Sequence, residues 1–225
     1  MTTKATGAET NTKTNTRTRT RTRTRTRTRT RTRTGTSKST TPDTDTDTRY
    51  VALLRGINVG GKNKLPMRTL RDLLASIGAA DIRTHLQSGN AVFTHAQADP
   101  GRLAADLEQR ISDELGLTVA CLIRTGADLR RVVDANPFPM DGVNPSRFMV
   151  TFLSGPVPLD KLAAIDAAAY APDEFRPGQS EIYGHFPGGV HNSKLAAQFS
   201  DRRLGLTAST RNWNTVTKLV AMSEE

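Results

Sequence analysis

The 225-residue chain has a formal net charge of +10, but residues 1–48 hold twelve basic and four acidic side chains, a net of +8. The remainder has 20 basic against 18 acidic residues, a net of +2, so whole-chain charge gives no ground for a nucleic-acid function of the folded part. A lone cysteine, Cys121, excludes an internal disulfide framework and a multi-cysteine metal centre, and no run approaches the ~18 apolar residues of a membrane span. With no apolar signal-peptide core at the N-terminus, these features point to a cytoplasmic protein without membrane partners.

Residues 1–48 read as a disordered tail and linker. Strict Arg-Thr alternation from Thr16 to Thr34 offers no apolar face to bury, and its nine like charges repel one another. Two readings stay open. The segment is a solvated or spurious extension, from a start codon placed too far upstream, or it is a weak polyelectrolyte arm for nucleic acid or acidic surfaces, binding without sequence selectivity.

From Arg49 the elements follow in order. Tyr50-Val51-Ala52-Leu53-Leu54 is a short apolar run, read as a buried strand, which ends in a glycine-rich loop over residues 55–64. Pro66 opens a helix with Leu70, Leu73, Leu74 and Ile77 on one stripe, closed by Gly78. Ile82, Thr84 and Leu86 alternate with polar residues, and a turn at Ser88-Gly89-Asn90 leads to a strand over residues 91–94. Asp99-Pro100 caps a helix that presents Leu103, Leu107, Ile111 and Leu115 until Gly116. A strand over residues 119–124 follows, and then a capping box, Thr125 with Asp128, opens a helix stopped by Asn136-Pro137. The order β-α-β-β-α-β is that of a ferredoxin-like plait.

The second half reads the same way. Strands are expected at residues 148–153, 174–176, 181–185 and 206–209, and helices at 159–170, 193–199 and 212–222. The fold class is therefore α+β, with two ferredoxin-like plaits over residues 49–136 and 146–225 joined by a Pro-rich linker, 137–145. Only the order of elements suggests duplication, since no residue-level repeat is visible.

Three motifs carry a family resemblance: residues 54–64 (LRGINVGGKNK), Gln87-Ser88-Gly89-Asn90, and residues 210–216 (TRNWNTV). Together they resemble the domain of unknown function 1697 family over roughly Tyr50 to Val220. The resemblance implies a two-subdomain α+β fold of plait-like units and transfers no catalytic or ligand residue.

The same motifs hold the candidate binding residues. In a plait the first loop and the β2–β3 turn share one sheet edge, which gathers Arg55, Asn58, Lys62 and Asn63 beside Gln87, Ser88 and Asn90. Gly56, Gly60 and Gly61 would permit close backbone approach to an anion, although neither common nucleotide fingerprint is present. At the opposite edge of the second unit, Ser193-Lys194 and Arg211-Asn212 sit at expected helix N-termini, which attract phosphate or carboxylate. Each cluster also has a plain structural reading as turn residues and caps, with Trp213 in the core. His85, His95, His185 and His191 lack ligand spacing, so neither a metal nor a cofactor is expected.

The leading expectation is a small anionic, phosphate-bearing ligand in a cleft between the plaits. The alternatives are nucleic-acid binding through tail or sheet, and a partner-binding module whose motifs are structural. Convergence of Arg55, Lys62, Gln87, Lys194 and Arg211 on one open cleft favours the first; internal pairing favours the last. For the tail, deletion of residues 1–48 should leave the melting temperature unchanged within error and abolish any salt-sensitive nucleic-acid binding. A drop of several degrees, measured by differential scanning calorimetry, would contradict the composition argument.

Overall fold

The first strand is apolar at consecutive positions because both faces of its sheet are covered. β1 (Thr48–Leu54) turns Tyr50, Ala52 and Leu54 to one side and Val51 and Leu53 to the other, and all five are buried. The computed structural model describes residues 48–97 and 99–225. The Arg-Thr tail read above as disordered lies outside the described residues.

Local signals set the elements of the first half. α1 (Met67–Ser76) follows Pro66 and buries Leu70, Leu73 and Leu74. β2 (Ala80–His85) and β3 (Asn90–His95) form the hairpin. α2 (Pro100–Leu115) is capped by Asp99, which accepts from the N–H groups of Gly101 and Arg102, and it ends at Gly116 in the left-handed conformation. β4 (Cys121–Thr125) runs directly into α3 (Gly126–Asp134) through the expected capping box. There the Thr125 hydroxyl accepts from the Asp128 N–H at 3.0 Å and the Asp128 carboxylate accepts from the Thr125 N–H at 3.2 Å. The four strands make an antiparallel sheet in the order β2-β3-β1-β4.

The second sheet contains β5 (Phe148–Leu153), β6 (Glu174–Pro177), β7 (Glu181–His185) and β8 (Ala208–Asn212), in the order β6-β7-β5-β8. Its strands thus repeat the first sheet's order one for one, in a mixed α+β protein with two four-stranded antiparallel sheets. The helices of this half differ from expectation. The segment 159–170 divides into α4 (Leu159–Ala163) and a 3₁₀ turn, Ala167–Tyr170, because the Asp166 side chain accepts from the Ala168 N–H and opens a turn of its own. Residues 193–199 hold only a 3₁₀ turn, Ala196–Phe199, followed by the short α5 (Asp201–Leu204). The last strand overlaps the expected 206–209 and runs past it: Thr210, Arg211 and Asn212 pair with Thr151, Val150 and Met149, so α6 (Trp213–Glu224) begins after them.

α3 and α6 fill the space between the two sheets. Val51, Leu53, Val92 and Leu122 of the first sheet share one core with Phe148, Val150, Phe152 and Tyr183 of the second, through Leu129 and Val132 of α3 and Trp213, Val216, Leu219 and Val220 of α6. Trp213 stands edge-on to Phe148, with ring centroids 5.1 Å apart. On its far side the first sheet is covered by α1 and α2, and the second by α4, α5 and the 3₁₀ turns. Leu219→Ala should therefore lower stability by ~2–5 kcal/mol, as a cavity in a shared core does. Trp213 fluorescence and far-UV circular dichroism should still report one coincident transition. Two separated transitions would show that the halves fold independently.

Candidate functional site

At one end of the first sheet the glycine-rich loop and the β2–β3 turn meet, as their shared edge requires. The Leu54 N–H donates to the Gly89 carbonyl at 2.8 Å. Gly89 has φ of 78°, and a Cβ there would lie 2.7 Å from Leu54 Cβ, so both conformation and space require glycine. Asn58 donates to the Gln87 carbonyl at 2.7 Å and the Leu65 carbonyl at 2.9 Å, and accepts from the Leu65 N–H. Asn63 donates to the Gly56 carbonyl at 3.2 Å. Asn58 and Asn63 both have positive φ, which asparagine tolerates, and their amides hold the loop's shape. Asn90 is fully buried and donates to Ser88 Oγ and the His85 carbonyl. Lys62 and Gln87 are exposed.

Arg211 differs most from its expected surroundings. Its place in β8 carries the side chain away from the N-terminus of α6 and across to the first half of the molecule. Only 9% of the residue is exposed. Nε donates to Asn90 Oδ1, and Nη2 to the Leu54 carbonyl at 2.6 Å, with those of Ser88 and Gly89 at 3.2 and 3.4 Å. Nη1 donates to Ser209 Oγ at 3.1 Å and the Thr210 carbonyl at 2.9 Å. No carboxylate is among these acceptors. Carbonyl dipoles, the Ser209 hydroxyl and the Asn90 amide solvate the guanidinium instead, and desolvation lowers its pKa to about 10. The cap of α6 is Asn212, which accepts from the Thr215 N–H at 2.9 Å.

A repeat that the sequence suggested only by its order of elements appears in the strand registers. Val51 of β1 faces Arg124 of β4, and Val150 of β5 faces Arg211 of β8. Each arginine precedes a helix cap, Thr125 or Asn212, and each reaches the last carbonyl of the other sheet's first strand: Arg124 to Leu153, Arg211 to Leu54. The matching turns repeat as well, with Leu153 N–H donating to the Ser180 carbonyl at 2.9 Å. Asn90, opposite Leu53, corresponds to Glu181, opposite Phe152, and both are buried. Glu181 receives Arg131 at 3.5 Å, and together with Asp128 it favours the charged form of Arg124 against desolvation. The Arg124 end is therefore balanced by acids and the Arg211 end is not.

A cleft of about 420 Å³ opens at the Arg211 end, between the glycine-rich loop and the segment from the 3₁₀ turn Ala196–Phe199 to β8. Of the expected residues, Arg55, Ser88 and Arg211 line it; Asn58, Lys62, Asn63, Gln87, Asn90, Ser193, Lys194 and Asn212 do not. Ser193 accepts from the Ala196 N–H at 2.9 Å, and so short a 3₁₀ turn has no helix dipole to offer an anion. Sequence reasoning missed Asp201 of α5, which forms an ion pair with Arg55 across the mouth and accepts from the Ala208 N–H at 3.0 Å. Cys121 is buried and burial pushes its thiol up to about 12, so it is inert at neutral pH. Among the described residues no group of three His, Cys, Asp or Glu side chains is placed to hold a metal ion, and no helix is long and apolar enough to cross a membrane.

A family profile described as "Protein of unknown function (DUF1697)" matches residues 48–183, which leaves the motif at residues 210–216 beyond the matched span. No curated protein matches the chain significantly. Among solved structures, the chain is similar to a conserved bacterial protein from Streptococcus pneumoniae. The TM-score is 0.60 and the identity 22%, covering 78% of this chain and 98% of that one, a likeness of fold.

For Arg211 the bonding predicts a stability role. Arg211→Ala should destabilise the ligand-free protein by ~3 kcal/mol or more in urea denaturation, since buried Asn90 and several carbonyls lose their donor. Unchanged stability would show that water satisfies those groups equally well.

Proposed function

The chain belongs to this family of proteins of unknown function, and we propose that it binds a small anionic, phosphate-bearing ligand in the cleft at the Arg211 end. The observation that carries the reading is a buried arginine without a carboxylate in the wall of an open cleft. Arg211 has its donors occupied, so it acts through its field, while Arg55, with 45% of its side chain exposed, supplies the hydrogen bonds. Its ion pair with Asp201 is of the exposed kind, worth ~0–1 kcal/mol, which a doubly charged phosphate can displace. Gly56 leaves room beside Arg55, since a Cβ there would meet nothing within 4 Å.

The internal bonds of Asn58, Asn63 and Arg211 support a structural role for the family-like motifs, with binding left to Arg55 and the charge of the cleft. Covered faces on both sheets speak against RNA binding on an open sheet. Within the same proposal, the two units are tandem ferredoxin-like plaits, which their common strand order supports. A reducing, cytoplasmic setting suits the buried free thiol, and any nucleic-acid contact by the basic tail would be weak and salt-sensitive.

Titration calorimetry of the full-length protein with inorganic phosphate tests the site. Arg55→Ala should abolish cleft binding. Asp201→Asn keeps the acceptor for Ala208 but frees Arg55, and should tighten binding ~3–10-fold. Phosphate affinity indifferent to both substitutions would place the anion elsewhere.

A further inference from the structure

A second cavity lies beside the first and has different chemistry. It holds about 320 Å³ and lies between the outer face of the second sheet and the 3₁₀ turns Val190–Asn192 and Ala196–Phe199. Ala196, Phe199 and Thr210 line both cavities, so the two are immediate neighbours. Met149, Phe186, Val190 and Phe199 make its walls largely apolar, with His191 also at its edge. Thr151 and Thr210 also line it, and their hydroxyls bond each other at 2.9 Å. Phe186 is held in place by Gly184: a Cβ at that position would fall 2.6 Å from its ring, so only glycine admits the ring there.

A half-open, largely apolar volume beside a cationic one fits a ligand with two unlike ends. Both volumes lie in the range of about 300–1,000 Å³ usual for small-molecule sites. The apolar walls lack contact partners while the cavity stays open, so a ring-sized group would gain dispersion and hydrophobic burial there. We propose that the ligand is a phosphate ester of an apolar, ring-sized group, with its phosphate at Arg55 under the field of Arg211 and its ring among Met149, Phe186 and Val190. This rests on the anion-binding reading and narrows it to a substrate class, apolar esters over polar sugar-type esters.

Calorimetric titration of the full-length protein with inorganic phosphate, glycerol 3-phosphate and phenyl phosphate separates the two levels. Phenyl phosphate should bind about tenfold or more tighter than either of the others. Val190→Phe, which fills the apolar arm, should remove that advantage and leave inorganic phosphate unchanged. Equal affinities for all three in the wild-type protein overturn the two-ended ligand while keeping the anion site. An advantage that survives Val190→Phe overturns the placement of the ring, and binding of none of the three overturns the anion site itself. Should Val190→Phe not fold, the wild-type ratio alone decides.

Discussion

The guanidinium of Arg211 joins the two halves of this protein without the help of an acid. It reaches from β8 to the end of β1, where it meets Asn90 and the carbonyls of Leu54, Ser88 and Gly89. Burying a charge is costly unless its donors are satisfied, and here every bond is made by a dipole. That requirement fixes β8 against the first sheet. β8 runs straight into α6, so the same contact sets where Trp213, Val216 and Leu219 enter the core between the sheets. Core, cap and cleft follow from one side chain.

The reciprocal contact at Arg124 shows what a single exchange of chemistry does. The two ends share strand register, turn hydrogen bonds and an arginine before a helix cap, but one has the carboxamide of Asn90 where the other has the carboxylate of Glu181. With Glu181 and Asp128 nearby, the Arg124 end is electrically balanced. With Asn90, the Arg211 end retains its positive charge and opens on a cleft whose other cation, Arg55, is held only by an exposed ion pair. A cleft of about 450 Å³ lies beside Arg124 as well, but acids balance the charge there, and this asymmetry supports placing an anion at the Arg211 end.

Much of the first half was legible because its signals are local. Asp99 with Pro100, the Thr125–Asp128 box and the Leu103-Leu107-Ile111 stripe each act within a few residues, and each formed the element it predicts. The second half was harder where the structure depends on distant partners. Thr210, Arg211 and Asn212 are polar on both faces and carry no strand signal; they form β8 because β5 offers a ladder and the first half offers Arg211 its acceptors. Of the candidate site, Arg55 and Arg211 were found as the charged members of two motifs that proved to meet. Asp201 and Arg124 lay outside any motif, and only the strand registers show their part. In hindsight the sequence held one usable trace of the duplication, an arginine directly before a helix cap in each half.

Anion binding in the cleft is proposed to act directly through Arg55 and indirectly through the field of Arg211. It is tested most directly by following the arginine side-chain N–H resonances of ¹⁵N-labelled protein while inorganic phosphate is added. The Arg55 Nε–H signal should shift far and saturably, that of Arg211 less and with the same midpoint, and that of Arg124 not at all. Saturable shifts at Arg124 with Arg55 unmoved, or no saturable shift at either end, would contradict it.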